Sequence, residues 1–346
     1  MVGEYESAGS LHVNRLMEGG GRTLGKRKRY IGVALGMAMA SVDDLEITRI
    51  LTDSDLDGVL SGAILLRRWP EAEVVFGHPG ALKNGLYDDL IDNQTAICDL
   101  PYHPKCGLSI DHHLSNKPDS ESEVRVWEAA PSAARVAANL LGHLIDLGDL
   151  SEALEWTDRL DGGKVTREQY LSEEPMVWIG RSIGVGDEIA RTVMRLFSSG
   201  LSPHEISETD VVKGAIAQRK RESAILKLEI EERLEIVDRL AIVRMHGLGM
   251  RTNGYAVTAY AGDACDACLI THGDLGVSFG EEDGYPVSAS FYTNSFLHKE
   301  GGIFDLTALA TRFDPDGGGH KDACGCRIKP LEGSSVVDRE VTEEDI

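Results

Sequence analysis

Two short runs of this 346-residue sequence carry side chains able to do chemistry: Asp53-Ser54-Asp55-Leu56-Asp57-Gly58 and Asp111-His112-His113. In the first, alternate carboxylates can face one side while Gly58 lets the chain turn tightly into a helix. Hard oxygen donors of this kind suit manganese or magnesium. The adjacent imidazoles of the second run shift that preference from magnesium toward manganese or another transition metal. Taken alone, an acidic loop is commonly solvated surface, and a buried histidine is commonly a core residue. Here the acidic run follows a strongly apolar segment, and the histidine pair follows an aspartate at the end of another. Two further runs belong with them. Asp158-Arg159-Leu160-Asp161-Gly162-Gly163 places a carboxylate ahead of a glycine turn, with Asp158 and Asp161 both eligible. Asp316-Gly317-Gly318-Gly319-His320-Lys321 reads as a glycine-rich turn with a cationic tip, whose amides, His320 and Lys321 can hold a phosphate or carboxylate.

The elements that must position these residues follow from hydrophobic pattern. The segment from Glu46 reads as a buried strand running into the acidic loop, and Ser61 to Trp69 has helical apolar spacing. Glu73–Phe76, Thr95–Cys98 and Leu108–Ile110 are short β-rich runs, the last two ending at Asp99 and Asp111. Short strands alternating with helical patterns predict an α/β unit with a parallel sheet. Ligands of such sheets gather beyond the carboxyl ends of the strands. Three acidic clusters at one sheet edge would repel each other unless cations bind there. Ala129–Leu147 and Ser151–Leu160 read as helices, and Val211–Val243 as one long, solvated connecting helix. After it come short β-runs with glycine turns, Ala256–Ala259, Leu275–Phe279 and Val287–Phe291, predicting a second, smaller α+β domain. The last sixteen residues are polar and acidic, and there is no internal repeat.

Composition bounds the rest. No apolar stretch is long enough to span a membrane. Acidic residues outnumber basic ones, 57 to 35, giving a formal net charge of -22. Such a chain repels long polyanions on average, while a local cation site can still take a phosphate. The six cysteines are too sparse for a disulfide scaffold and suggest a reducing compartment. Cys265, Cys268, Cys324 and Cys326 could supply four zinc thiolates, or simply fill tight spaces, which is the preferred reading. Near the N-terminus, Lys26 to Arg29, the apolar run Tyr30–Met37 and Ala38-Met39-Ala40 have the order of a secretory signal. The brevity of that run, its glycines and its long polar lead favour a disordered extension or a start at Met37 or Met39, and a cytoplasmic protein.

Taken together, Asp55-Leu56-Asp57-Gly58, Asp99, Asp111-His112-His113, Asp161 and Gly317-Gly318-Gly319-His320 resemble, in order, the motifs of the DHH phosphoesterase superfamily. More narrowly they resemble the subfamily with a DHH-associated second domain (DHHA1), whose members include nanoRNase, 3′-phosphoadenosine 5′-phosphate phosphatase and exonuclease types. The resemblance spans roughly residues 46 to 330. It implies an α/β fold in which a parallel-sheet DHH domain is joined by a long helix to a smaller α+β DHHA1 domain. The expected divisions are an N-terminal extension (1–45), the metal-binding catalytic domain (46–205), the connecting helix (206–243), the substrate-binding domain (244–330) and an acidic tail (331–346).

The resemblance further implies two manganese ions, with magnesium admissible. Asp55 and Asp57 would each bind one, Asp99 would bridge both, and His112 and Asp161 would complete the site. Relatives of the nanoRNase and pyrophosphatase types carry a histidine four residues before the first aspartate of the pair. Leu51 stands there, so Asp53 would act as the ligand instead. His113, Asp99 and Asp111 form the expected catalytic set. Gly317, Gly318, Gly319, His320, Lys321, Arg312 and Asn294 form the expected substrate contacts. The strand Val287-Ser288-Ala289-Ser290 lacks the arginine common in nanoRNase-type members, a role left to Lys299 or Arg312. The implied activity is hydrolysis of small nucleotides or short oligonucleotides, with no membrane partner and with a homodimer compatible. The alternatives are a single-strand exonuclease, a polyphosphate or pyrophosphate hydrolase, and a catalytically inactive nucleotide sensor.

Overall fold

The computed structural model describes residues 41–120, 124–273, 279–281, 287–315, 317–333 and 335–346. Expectations for residues 1–40, for most of a strand over 275–279 and for Asp316 lie outside them. The first sheet is built from β1 (Arg49–Asp53), β2 (Glu73–Gly77), β3 (Thr95–Cys98), β4 (Leu108–Asp111) and β5 (Arg125–Trp127), all parallel, in the order β2-β1-β3-β4-β5. Every residue of β3 and β4 is buried. A parallel strand covered on both faces reads as an unbroken apolar run, which is why these strands are visible in the sequence.

Helix α1 (Leu56–Arg68) leaves β1 directly and is buried along Asp57–Leu66, against β1 and the later helices α3 (Ala133–Leu141) and α7 (Asp187–Ser198). Between them in the chain are α2 (Pro79–Lys83), α4 (Ser151–Asp161), α5 (Arg167–Tyr170) and α6 (Pro175–Ile183). Helix α3 is shorter than the expected 129–147, because Ser132 caps it: its side chain accepts from the Arg135 N–H.

The connection to the second lobe differs from a single helix. Helix α8 (Pro203–Glu208) precedes α9 (Asp210–Arg233), and α9 stops ten residues short of Val243. Residues beyond it form an antiparallel hairpin, β6 (Glu235–Val237) and β7 (Leu240–Arg244). Asp238 and Arg239 turn it with positive φ, 46° and 70°. That two-residue geometry matches the twist of flanking strands, and the β-branched residues on either side favour it over helix.

Ala256–Ala259, expected as a strand, lies inside α10 (Gly254–Ala261). Asn253 caps that helix by accepting from the Ala256 N–H at 3.1 Å, and its alanines favour helix. The second sheet adds β8 (Ala267–His272), β9 (Ser288–Thr293), β10 (Gly318–His320) and β11 (Ala323–Arg327) in the order β10-β11-β9-β8-β7-β6, with α11 (Thr307–Phe313) before β10. Only β7 and β8 pair in parallel. The fold is therefore a parallel α/β lobe followed by a smaller α+β lobe.

Cys265 and Cys268 sit in one apolar core with Ile230 and Val243, while Cys324 and Cys326 sit in another with Phe291 and Ala310. The four thiols fill space in two places and do not converge. The acidic end of the chain folds back, with a short hairpin at Leu331–Glu332 and Ser335–Val336 and a bidentate Arg339–Asp345 pair at 2.7 Å. Among the described residues, no helix is long and apolar enough to cross a membrane.

Candidate metal centre

Because β1, β3 and β4 are parallel neighbours, Asp53, Asp99 and Asp111 emerge together at their carboxyl ends. The first turn of α1 adds Asp55 and Asp57, and the end of α4 adds Asp161. Asp55 caps α1, its Oδ1 accepting from the Gly58 N–H at 2.9 Å. A Cβ on Gly58 would lie 2.3 Å from the Asp53 carbonyl oxygen, so only glycine fits this strand-to-helix bend. Asp57, 1% exposed, accepts from the N–H groups of Ala133 and Ala134 at 2.6 and 2.7 Å. The free amides at the start of α3 thus fix its orientation.

Asp111 is the hub of the histidine pair. Its carboxylate accepts from the His112 and His113 N–H groups at 2.7 and 2.9 Å and from the Asn116 amide at 2.6 Å. It also pairs with His113 Nδ1 at 2.9 Å. These contacts tie Asp111, one of the expected catalytic set, to the backbone of both histidines and to the His113 ring. His112 Nδ1 lies 3.2 Å from the Ala130 carbonyl oxygen, so as donor there it leaves a lone pair on Nε2. That Nε2 is buried without a hydrogen bond, as is Asp99 Oδ1. Nε2 stands 3.3 Å from Asp161, 3.6 Å from Asp57 and 3.8 Å from Asp99. Asp99 itself adopts a left-handed backbone, φ 55°, that L residues seldom take.

The electrostatics follow from crowding and burial. Burial pushes the Asp57 and Asp99 carboxyls well above the ordinary carboxylate range, and neighbouring aspartates push them further. Burial, then Asp55, raises Asp161 to about 7. Burial and Asp55 raise Asp53 to about 6. The Asp111 hydrogen bond raises His113, whereas burial lowers His112 and His320. Two donor groups, Asp99-His112-His113 and Asp57-His112-Asp161, each have their ligand atoms within 4.8 Å of one another. Mixed carboxylate and imidazole donors, two of them buried and unpartnered, fit a divalent transition ion.

Of the expected ligands, Asp57, Asp99, His112 and Asp161 converge. Asp53 and Asp55 stand beside them: they raise neighbouring pKa values but join neither tight group, and Asp53 Oδ1 accepts from the Ser54 N–H at 2.6 Å. The choice between Asp158 and Asp161 is geometric. Asp158 is engaged by Arg135 at 2.6 and 2.9 Å and by the Ser132 hydroxyl at 2.6 Å, while Asp161 points at His112.

The second lobe faces this cluster across a cleft of about 490 Å³, lined among others by His113, Asp161, Tyr255, Lys299 and His320. The His113 and His320 rings stack, centroids 5.1 Å apart and planes 28° from parallel. Residues Gly318–His320, expected inside a turn over 316–321, form strand β10, and the turn follows at Lys321-Asp322. At Gly319, φ is 138° and a Cβ would lie 2.7 Å from the Ala323 carbonyl oxygen. Lys321 sits at the exposed tip, 3.8 Å from Asp322. Arg312 is exposed on α11 and does not line the cleft. Asn294, expected as a substrate contact, is 1% exposed and does not line the cleft, and its amide donates to the Gly262 and Cys265 carbonyls at 2.9 Å. Tyr255, which donates to the Leu160 carbonyl oxygen at 2.9 Å across the lobes, carries no motif that could have announced it.

No protein-family model matches the sequence, and no curated protein matches it. Among solved structures, the chain is similar to PggH, a pGpG-specific phosphodiesterase from Vibrio cholerae: TM-score 0.64 and 20% identity, over 81% of this chain and 92% of that one. It is also similar to the DHH domain of PF0399, a member of the s1p family of ribosomal proteins: TM-score 0.52 and 12% identity, over 81% of this chain and 82% of that one. The chain has the fold of DHH-domain proteins, parallel sheet and smaller second lobe together.

Two outcomes test this geometry. Asp161→Ala should weaken manganese binding at least about tenfold by calorimetry, whereas Asp158→Ala should lower thermal stability and leave that affinity within about threefold. Equal loss from both would reject the assignment. Because burial raises Asp161 from its ordinary 3.8 to about 7, the folded state without metal holds a proton the unfolded chain lacks between those values. Its thermal midpoint in chelator should fall as pH rises from about 5 to about 8, and manganese should flatten that slope. A midpoint that rises over this range in chelator would contradict it.

Proposed function

We propose that this chain is a divalent-metal-dependent phosphoesterase acting on small nucleotides or short oligonucleotides. One observation carries the reading: two buried, unpartnered donors, Asp99 Oδ1 and His112 Nε2, meet Asp57 and Asp161 at the mouth of a cleft that His320 faces. The likeness in fold to a phosphodiesterase favours it, and the imidazole donors favour manganese over magnesium.

Asp57, Asp99, His112 and Asp161 would hold the ions. When bound, these would supply positive charge for the phosphoryl oxygens and lower the pKa of an attacking water. The protein's own work is positional. The start of α3 holds Asp57, so that carboxylate cannot swing away when substrate arrives. Asp111 keeps a proton on His113 Nδ1, leaving Nε2 to accept one or to receive a hydrogen bond in the cleft. His320 and Lys299, which line the cleft, would donate to phosphoryl oxygens that do not react. A net charge of -22 favours short substrates, whose few phosphates can all lie near the local cations.

With manganese, the wild-type chain should hydrolyse bis-p-nitrophenyl phosphate, and Asp99→Ala should lower kcat/KM at least about a hundredfold. No manganese-dependent turnover on this ester or on a dinucleotide would refute the reading. His320→Ala should raise KM for a nucleotide substrate while manganese affinity by calorimetry stays within about twofold. Lost manganese affinity in that variant would break the division between metal and substrate residues.

A further inference from the structure

We infer that the exposed side of α9 is the surface by which two copies of this chain pair, their connecting helices antiparallel about a twofold axis. Helix α9 runs 24 residues, Asp210–Arg233, and packs against α6, α7, α8, α10 and β7. Val212, Ala215, Ile216 and Ile230 are buried on the side that faces them. The opposite side carries Gly214, Ala217, Arg221, Ile225, Leu228 and Glu232, every one of them exposed. At about 3.6 residues per turn these six fall within a stripe about 80° wide. Apolar side chains scattered singly over a surface need no explanation. Ile225 and Leu228 are not scattered: they are neighbours on this stripe, 43% and 66% exposed.

The order of residues along the stripe identifies the occupant. Arg221 stands one turn before Ile225, and Glu232 one turn after Leu228. The midpoint between Arg221 and Glu232 is also the midpoint between Ile225 and Leu228. A half-turn rotation about that point lays the pattern on itself, with Ile225 against the partner's Leu228 and Arg221 against the partner's Glu232. Each contact then occurs twice, as a twofold contact between identical surfaces requires. The two charges are also the ones α9 leaves over. Every other lysine, arginine and glutamate of the helix has an ion-pair partner within the chain, whereas Arg221 and Glu232 have none among the described residues. A net charge of -22 opposes self-association, so a contact between copies needs complementary charges set locally, as here. The same rotation brings the end of α9, where β6 begins with Ile236 and Val237 exposed, toward the partner's Ala217 and the partner's Gly214. A Cβ on Gly214 would meet nothing within 4 Å, so there is room for them. No residue of α9 lines the His320 cleft, and pairing leaves the candidate metal centre open.

Sedimentation of the full chain between about 1 and 100 μM gives the test. The wild type should form a dimer, of twice 37.6 kDa. Arg221→Glu and Glu232→Arg each bring like charges together at two places, and each should raise the dimer Kd at least about tenfold. The double variant Arg221→Glu/Glu232→Arg reverses both signs and should return Kd to within about threefold of the wild-type value. Leu228→Asp should abolish the dimer. All three positions are exposed and outside the core, so every variant should keep the thermal midpoint of the wild-type monomer to within about 3 °C. A wild type that is monomeric throughout this range would overturn the pairing and leave the stripe to a different protein. Dimers as tight as wild type in both single variants would overturn it by moving the contact to another face. Failure of the double variant to recover would reject the antiparallel register.

Discussion

The mutual repulsion of buried carboxylates governs this structure. Asp57, Asp99 and Asp111 are 1%, 4% and 3% exposed, and parallel strands deliver two of them to one sheet edge. Two unit charges about 4 Å apart interact by about 4 kcal/mol even at an effective dielectric constant of about 20. A fold with a stability of about 5 to 15 kcal/mol cannot hold several such pairs uncompensated. Compensation is uneven in an informative way. Asp57 receives two helix amides, and Asp111 receives two backbone amides, a side-chain amide and an imidazole. Asp99 Oδ1 and His112 Nε2 receive none. Donors are supplied where a carboxylate must be aimed and withheld where charge must come from elsewhere.

The same constraint explains what the second lobe contributes. Its sheet meets the cluster with an edge strand, β10, only three residues long and two of them glycine. Short edge strands are poor templates for pairing with another chain, and Gly319 lets β10 lie against Ala323 where any side chain would collide. His320 is thereby carried onto His113, the one histidine of the pair whose Nδ1 is already committed to Asp111. The two histidine rings are thus one of the places where the lobes meet, beside the Tyr255–Leu160 hydrogen bond.

What could be read in the sequence was whatever is set by neighbours along the chain. The β3 and β4 runs are legible because a strand covered on both faces is apolar throughout, and the Asp-Gly bend is legible because Gly58 alone fits against the Asp53 carbonyl. What could not be read depends on partners distant in sequence. Asp158 and Asp161 are alike in the sequence; Arg135, 23 residues before Asp158, separates them. Asn294 looks like an exposed polar residue until the carbonyls of Gly262 and Cys265 are found around it. The end of α9 was hidden because Glu, Arg and Leu suit a helix and no glycine marks the turn at Asp238-Arg239, where Asp238 tolerates positive φ and Arg239 seldom takes it. Tyr255 reaches the cleft from a helix that resembled a strand.

On the proposed function, charge on the whole molecule bears on the size of substrate the site would serve. The formal net charge of the chain is -22, and the Debye length at physiological salt is about 8 Å. On the proposed reading, a phosphate within that distance of the centre would be governed by the ions and by His320 and Lys299. A phosphate a few nucleotides further along a chain is governed by the acidic surface instead. Lengthening the substrate therefore adds repulsion without adding attraction, unless a basic track leads away from the cleft. Of the described basic residues around the second lobe, Lys321 stands beside Asp322, and Arg239 and His298 both pair with Asp266. On the proposed reading, the local cluster needs cations and the global surface turns polyanions away, and a substrate short enough to fit inside the screening length would meet both demands.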